Sequence, residues 1–540
     1  MPWTQTIDPL GNLTLSAGVA VIPIVFIFWA MIIRRLKVHH AAWIATVLTF
    51  VIAMAVYKMP VQLAAISVFH GAAYGLFPIC WIIIPAVFLY NLTVKAGQFE
   101  VIRYYMGSIT EDGRMQALLI AFSFGAFLEG TAGFGTPVAI TAAMLVGLGF
   151  KPLYAAGICL IANTAPVAFG SIGIPITVAS QVSGIPELAI SQMVGRTLPL
   201  LSLITPWYLI VLMCGWKKAV AVWPAMLVSG GSFAIVQWFT ANYIGPTLPD
   251  ILAAIASILA LVLFLRVWKP VESWKVEGGS WKVTGTAKRY SSAEVLKALS
   301  PFLILTVMVL LWGLPSVKKM LTAALNLNIP VPGLHEQIMG ADEQRPLPQY
   351  YRFAPLAAAG TAVMTACILS ILFLRIRVKD ALDVFRQTIR QLTFPIITIA
   401  TILGFAYLFN NAGLSLTLAH ILTATGTLFP FFSPWLGWLG VFITGSDTSS
   451  NALFGKLQST AAESVGMDPV IAVGANISGG VVGKMISPQS IAVAAAAGNL
   501  VGHESDLFRF TVKHSFILLI IISILTVLQT YVFTSLIPVY

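Results

Sequence analysis

Hydrophobic positions in this chain come in long blocks, not in strand-like alternation or one-sided helical stripes. Such blocks run from 15 to 33, 41 to 57, 76 to 94, 298 to 314, 353 to 374 and 515 to 535. Each is close to the roughly 20 apolar residues that a helix needs to cross a bilayer. The pattern predicts an all-α polytopic membrane protein with about 12–14 membrane segments. Composition agrees: 58% of the 540 residues are hydrophobic, only 9% are charged, and the mean hydropathy is +0.89. The start, "MPWTQTIDPLGNLTLSAG", has no basic leader, so no cleavable signal peptide is expected. Cys80, Cys159, Cys214 and Cys367 lie in apolar segments without paired spacing and read as packing residues.

The net charge of +11 sits mostly in the segments between blocks, where it reports orientation. Arg34, Arg35 and Lys37 end the first block, which places that end in the cytoplasm and the N-terminus outside. The linker 266–297 carries seven basic residues from Arg266 to Lys297 and reads as cytoplasmic. The linker 315–352 mixes both signs, holds several prolines and reads as external, a tether with an interfacial helix. The stretch 503–514 reads as a cytoplasmic surface helix ahead of the last span.

Polar residues interrupt the apolar blocks at four places, and these fall into two sets. "GAFLEG" at 125–130 matches "GVFITG" at 440–445. Asn163, Gly170 and Pro175 match Asn476, Gly483 and Pro488 with the same internal spacing, and "KAG" at 95–97 matches "NAG" at 411–413. The charge pattern sends the two copies through the membrane in opposite directions. Inverted-topology repeats of this kind are typical of secondary transporters, with the site near the midplane where the repeats meet. The chain divides accordingly: N-terminal spans (1–60), a first repeat (61–240), connecting spans (241–380), a second, inverted repeat (381–500), and a C-terminal surface helix with the last span (501–540).

Each repeat holds two breaks. They are "EGTAGFGTP" (129–137) and "NTAPVAFGSIGIP" (163–175) in the first copy, and "TGSDTSSN" (444–451) and "NISGGVVGKMISPQS" (476–490) in the second. Glycine- and proline-rich sequence cannot continue a regular helix, and lipid cannot satisfy the freed backbone groups. The breaks must therefore face protein or a water-filled cavity. The first of each pair reads as the tip of a re-entrant hairpin, the second as a discontinuous helix. Helix N-termini at such breaks are good seats for a carboxylate. Asp447, Glu129 and Lys484 are ionisable groups inside these breaks, and such groups in a membrane usually mark function. The bland alternative for the hydroxyls is helix packing.

At these residues the chain resembles the bacterial L-lactate permease family. The likeness is carried by "FGAFLEGTAGFGTPVAITAAMLVGLGFKPLYAAG", "NTAPVAFGSIGIPI", "LGWLGVFITGSDTSSNALFG" and "GKMISPQSIA". It extends from "IDPLGN" near the start to "ESDLFRFTVKHS" near the end. The resemblance implies proton-coupled uptake of L-lactate, and often of D-lactate and glycolate, across the bacterial inner membrane. It implies no enzyme activity and no cofactor beyond the proton gradient. The residues alone reach only a secondary transporter for a small solute, and no P-loop, "GxxxxGK[ST]", is present to couple ATP. A monocarboxylate moving with one proton carries no net charge across the potential. A sodium-coupled carboxylate carrier is the alternative, since hydroxyls and helix-end carbonyls can also hold sodium.

Within this reading Lys484 pairs with the substrate carboxylate, helped by Asn476, Ser478, Ser487 and Gln489. A structural pair with Asp447 and a lysine reaching out to an interface are the alternatives. Asp447 and Glu129 are the proton-carrier candidates, because a buried carboxyl changes protonation as a neighbouring ammonium gains or loses another partner. Glu129 could instead be structural at its hairpin turn. Thr131, Asn163, Thr164, Thr448, Ser449, Ser450 and Asn451 are candidate hydrogen-bonding partners for the substrate, or else for freed backbone carbonyls. The partners expected are a small monocarboxylate and the lipid bilayer.

Overall fold

The structure, a computed structural model, describes residues 2–34, 36–133, 135–274, 290–341 and 346–540. It is overwhelmingly helical. Ten helices among the described residues are long and apolar enough to cross a membrane, eleven if the bent pair Pro152–Ala162 and Val167–Ser183 is one span. The apolar helices Thr136–Gly147 and Ala359–Phe373 are shorter. Counting them brings the number of segments into the range expected from the sequence.

Both sets of breaks fold as hairpins and broken helices. In the first half, a leading arm ending in Gly125–Thr131 turns into a trailing arm, Thr136–Gly147. A broken helix follows, with a leading piece Pro152–Ala162 and a trailing piece Gly170–Ser183. The second half repeats this order: arms Phe429–Thr444 and Asp447–Ser464, then pieces Pro469–Lys484 and Pro488–Ala497. The halves pack reciprocally. The trailing arm of each hairpin lies against the trailing piece of the other half's broken helix. A pseudo-twofold arrangement requires that pairing, and it brings all four breaks together in the interior.

The ends of the bundle differ in chemistry. At one end Asp112 and Arg114 are buried and paired at 2.7 Å. Arg114 also donates to the Lys218 and Glu272 carbonyls, and Asp112 accepts from the Trp274 N–H. This node ties the base of the first hairpin to the start of the basic linker. Most of that linker, 275–289, lies outside the described residues.

The linker 315–352 is more than the tether expected from its prolines. After a helix, Pro315–Ala324, strand Leu327–Pro330 pairs antiparallel with Tyr350–Phe353. Ile338–Met339 pairs in parallel with Trp3–Thr4, so the N-terminus and this linker lie on one side. Such short edge strands tolerate Pro330 because they have no neighbour on one side. The surface helix expected at 503–514 is also revised. Glu504–Tyr531 is one continuous helix, whose Leu507, Thr511 and His514 are buried against the bundle.

Candidate functional site

The four breaks enclose a cavity of about 500 Å³. Its mouth is lined by Lys37, His39 and Phe394, and its interior by Glu129, Ser171, Thr444, Ser446, Asp447, Thr448, Ser449, Lys484, Gln489 and Ser490.

Local sequence explains this wall. Gly445 adopts φ 69°, which ends the arm Phe429–Thr444. Ser446 is then extended, and its side chain accepts from the Ser449 N–H at 3.3 Å, starting the next helix as an N-cap. Ser487 does the same for Pro488–Ala497, accepting from the Ser490 N–H at 3.2 Å. Two helix N-termini, with their partial positive charge, therefore open on the cavity. On the opposite wall Ser171 and Ile172 hold φ 47° and 62°, a left-handed backbone that disfavours residues with a Cβ. Ser171 is held there in part by its own hydroxyl, which donates to the Ala132 carbonyl at 3.2 Å.

One ion pair spans the two halves. Lys484, the last residue of its helix piece, places Nζ 2.7 Å from Oε1 of Glu129, 355 residues away. Lys484 is 9% exposed and Glu129 2%. The approach needs Gly170: a Cβ there would lie 2.7 Å from Glu129 Oε1. Glu129 Oε2 has no hydrogen-bond partner. Asp447, 3% exposed, makes no pair with Lys484, and both its carboxyl oxygens lack a hydrogen-bond partner. Its carboxyl sits on the bare backbone of Gly480. The structural alternative of a Lys484–Asp447 pair is thus replaced by a Lys484–Glu129 pair. A buried pair is weak evidence for stability, but removing one partner leaves an uncompensated charge costing about 3–5 kcal/mol.

The structure sorts the other sequence candidates. Thr448, Ser449 and Gln489 line the cavity, while the rest stand behind its wall and, Asn163 and Ser478 apart, engage protein. Thr131 donates to the Phe127 and Leu128 carbonyls, Thr164 to Ile161 and Ser450 to Gly437. Asn451 donates to the Pro175 carbonyl and accepts from Asn476, whose oxygen accepts from Gln458. These amides form a ladder binding the second hairpin to both broken helices. Ser487 is a cap, and Asn163 and Ser478 are buried with Asn163 Oδ1 and Ser478 Oγ unpartnered. Ser171, Thr444, Ser446 and Ser490 escaped the sequence reading; the signal was their place within the same breaks.

A further acid was also missed. Asp250, at the start of helix Pro249–Val267, is 1% exposed and lies within electrostatic range of Glu129 and Lys484. Three buried carboxyls therefore share one buried ammonium. Burying unpaired charge is costly, so the group is balanced only when two of the carboxyls are protonated.

A family model described as L-lactate permease matches residues 16–533. The chain belongs to the L-lactate permease family. Among its relatives is an L-lactate permease of Bacillus subtilis, 54% identical and aligned over all of both chains. The glycolate permease GlcA of Escherichia coli is 52% identical over 99% of both. An L-lactate permease of Escherichia coli is 51% identical, covering 99% of this chain and all of that one. The solved YdaH transporter of Alcanivorax borkumensis superposes with a TM-score of 0.46 at 12% identity, over 87% of this chain and 89% of that one. The chain is therefore a multi-pass membrane protein of a family of permeases for small hydroxycarboxylates.

Proposed function

We propose that this permease is a proton symporter that takes up L-lactate, and also D-lactate and glycolate, across the bacterial inner membrane, with its N-terminus outside. The observation that carries the reading is the Glu129–Lys484 pair on the cavity wall where the two halves meet. An incoming carboxylate takes the place of Glu129 at the Lys484 ammonium. Glu129, left without a counter-charge in a dry interior, accepts a proton. The cluster has then gained one anion and one proton and crosses the membrane potential with unchanged charge.

The two helix N-termini add donors to the carboxylate seat. Ser171, Thr444, Ser446, Thr448, Ser449 and Gln489 supply partners for the substrate's 2-hydroxyl. Asp447, with both oxygens unpartnered beside this seat, is the second proton carrier. The cavity mouth carries Lys37, on the basic side of the bundle, so the conformation described is open to the cytoplasm. No resident cofactor or metal takes part; the proton gradient is the drive.

The test is uptake of labelled lactate into liposomes holding the purified protein. Accumulation driven by an acid-outside gradient in sodium-free buffer, suppressed by unlabelled D-lactate and glycolate, is the expected result. Accumulation that needs sodium at fixed pH would replace the proton with sodium. For orientation, cysteines placed singly at Lys318 and Lys269 should react with an impermeant reagent in whole cells at the first position only.

A further inference from the structure

Asp250 is not needed to hold its own helix. An acid in the first turn of a helix ordinarily stabilises it by meeting free backbone N–H groups. Here neither carboxyl oxygen has a hydrogen-bond partner, and the side chain is turned inward and buried. It packs against the residue that follows Glu129 in the chain. Gly130, the residue after Glu129, leaves room for it: a Cβ at Gly130 would come within 2.8 Å of the Asp250 Cβ. The helix that carries Asp250 packs against Trp223–Tyr243, Ala117–Phe124 and Gly125–Thr131. From these and the neighbouring broken helix, the charged groups facing Asp250 are Glu129 and Lys484, and Gln237 is a polar neighbour. Asp250 does not line the cavity, so substrate does not reach it there.

We infer that Asp250 is a positioning residue for proton coupling, exchanging a proton with Glu129 as substrate takes Lys484. The inference rests on the proton-coupled reading above. When substrate displaces Glu129 from Lys484, the proton on the Asp250 carboxyl passes to the Glu129 carboxylate. Glu129, which lines the cavity, then takes a proton from the water there as it hands the first one back to Asp250, so both carboxyls end protonated. The cluster ends with one more carboxylate and one more proton than it began with. On release, Glu129 gives its proton to the cavity water beside the departing carboxylate and pairs again with Lys484, while Asp250 keeps its own proton.

The experiment compares wild type, Asp250→Asn and Asp250→Glu in liposomes loaded with a pH dye. It reads lactate-driven internal acidification, uphill uptake across a range of external pH, and lactate counterflow without a gradient. Uphill uptake by Asp250→Asn should be lost, and with it the dependence on external pH. Counterflow should persist, because exchange does not require net proton release, and Asp250→Glu should restore part of the pH dependence. Wild-type acidification together with an unaltered pH profile in Asp250→Asn would overturn this inference alone. So would loss of counterflow in folded Asp250→Asn that Asp250→Glu does not restore, since that marks a structural residue. Wild-type uptake without acidification would overturn the proton reading and this inference with it.

Discussion

The two halves place different chemistry on matching backbone. In the repeat alignment Glu129 corresponds to Thr444, and Lys484 to Ser171; all four line the cavity. One set is an ion pair across the halves at 2.7 Å. The other is two hydroxyls, each turned onto nearby backbone: Ser171 onto Ala132, Thr444 onto Gly440 and Ser446. Asp447 likewise has Ala132 as its counterpart. Duplication thus supplies a symmetric frame of breaks, and substitution supplies a polar axis, charged on one side and hydroxylic on the other. A 2-hydroxy acid has the same polarity, with a carboxylate at one end and a hydroxyl beside it. In the proposed function, this difference between the halves is what orients a small asymmetric solute in a near-symmetric site.

The comparison breaks most visibly at its charged side. Lys484→Met leaves Glu129 buried without a partner, and should cost about 3–5 kcal/mol of stability in a thermal unfolding series. The double variant Glu129→Gln/Lys484→Met should recover most of that loss. In protein that remains folded, the missing charge-assisted bond to substrate, about 1.5–3 kcal/mol, weakens lactate binding roughly ten- to hundredfold. A single variant as stable as wild type would show that the pair is not closed in the membrane.

Asp447→Asn sharpens the asymmetry at the hairpin tips, because it makes the second half as unable to ionise there as Ala132 makes the first. Uphill lactate uptake should be abolished while counterflow in the same liposomes continues. Normal accumulation would leave Glu129 as the carrier. Loss of both activities in folded protein would instead assign Asp447 to the shape of the tip, packed on Gly480.

The hydroxyl side should give the smallest effect. Thr444→Val or Ser171→Ala removes one neutral hydrogen bond, worth about 0.5–1.5 kcal/mol, so lactate affinity should fall roughly two- to tenfold. A monocarboxylate without the 2-hydroxyl should lose nothing. Equal losses for both solutes in a competition assay would contradict the assignment of this side to the hydroxyl.

Much of this arrangement is legible along the chain, and the limits have physical causes. The four breaks are readable because glycine, proline and polar residues interrupt apolar runs that lipid would otherwise require to be continuous. Lys484 is readable as the one base within them. Its partner is not, since only the reciprocal packing of the halves brings Glu129 to it from 355 residues away. Asp250 reads as an ordinary helix-starting acid, and nothing local reveals that its oxygens are turned from the helix end. Asn451 and Asn476 read as substrate contacts because buried amides can serve either solute or backbone, and here the Pro175 carbonyl and Gln458 occupy them. The paired strands of 315–352 are hidden by their prolines, which suit an exposed edge as well as a loop.

The central claim is that substrate carboxylate and Glu129 exchange places at Lys484, with the proton following Glu129. Equilibrium binding of lactate to purified Glu129→Gln, followed across pH beside wild type, tests it most directly. The amide in this variant is uncharged, so the competitor is gone and no proton need be taken up there. The account predicts tighter lactate binding than wild type, with a flattened dependence on pH, in protein that no longer accumulates lactate against its gradient. Weaker binding in folded protein, or binding that keeps the wild-type pH dependence, would contradict it.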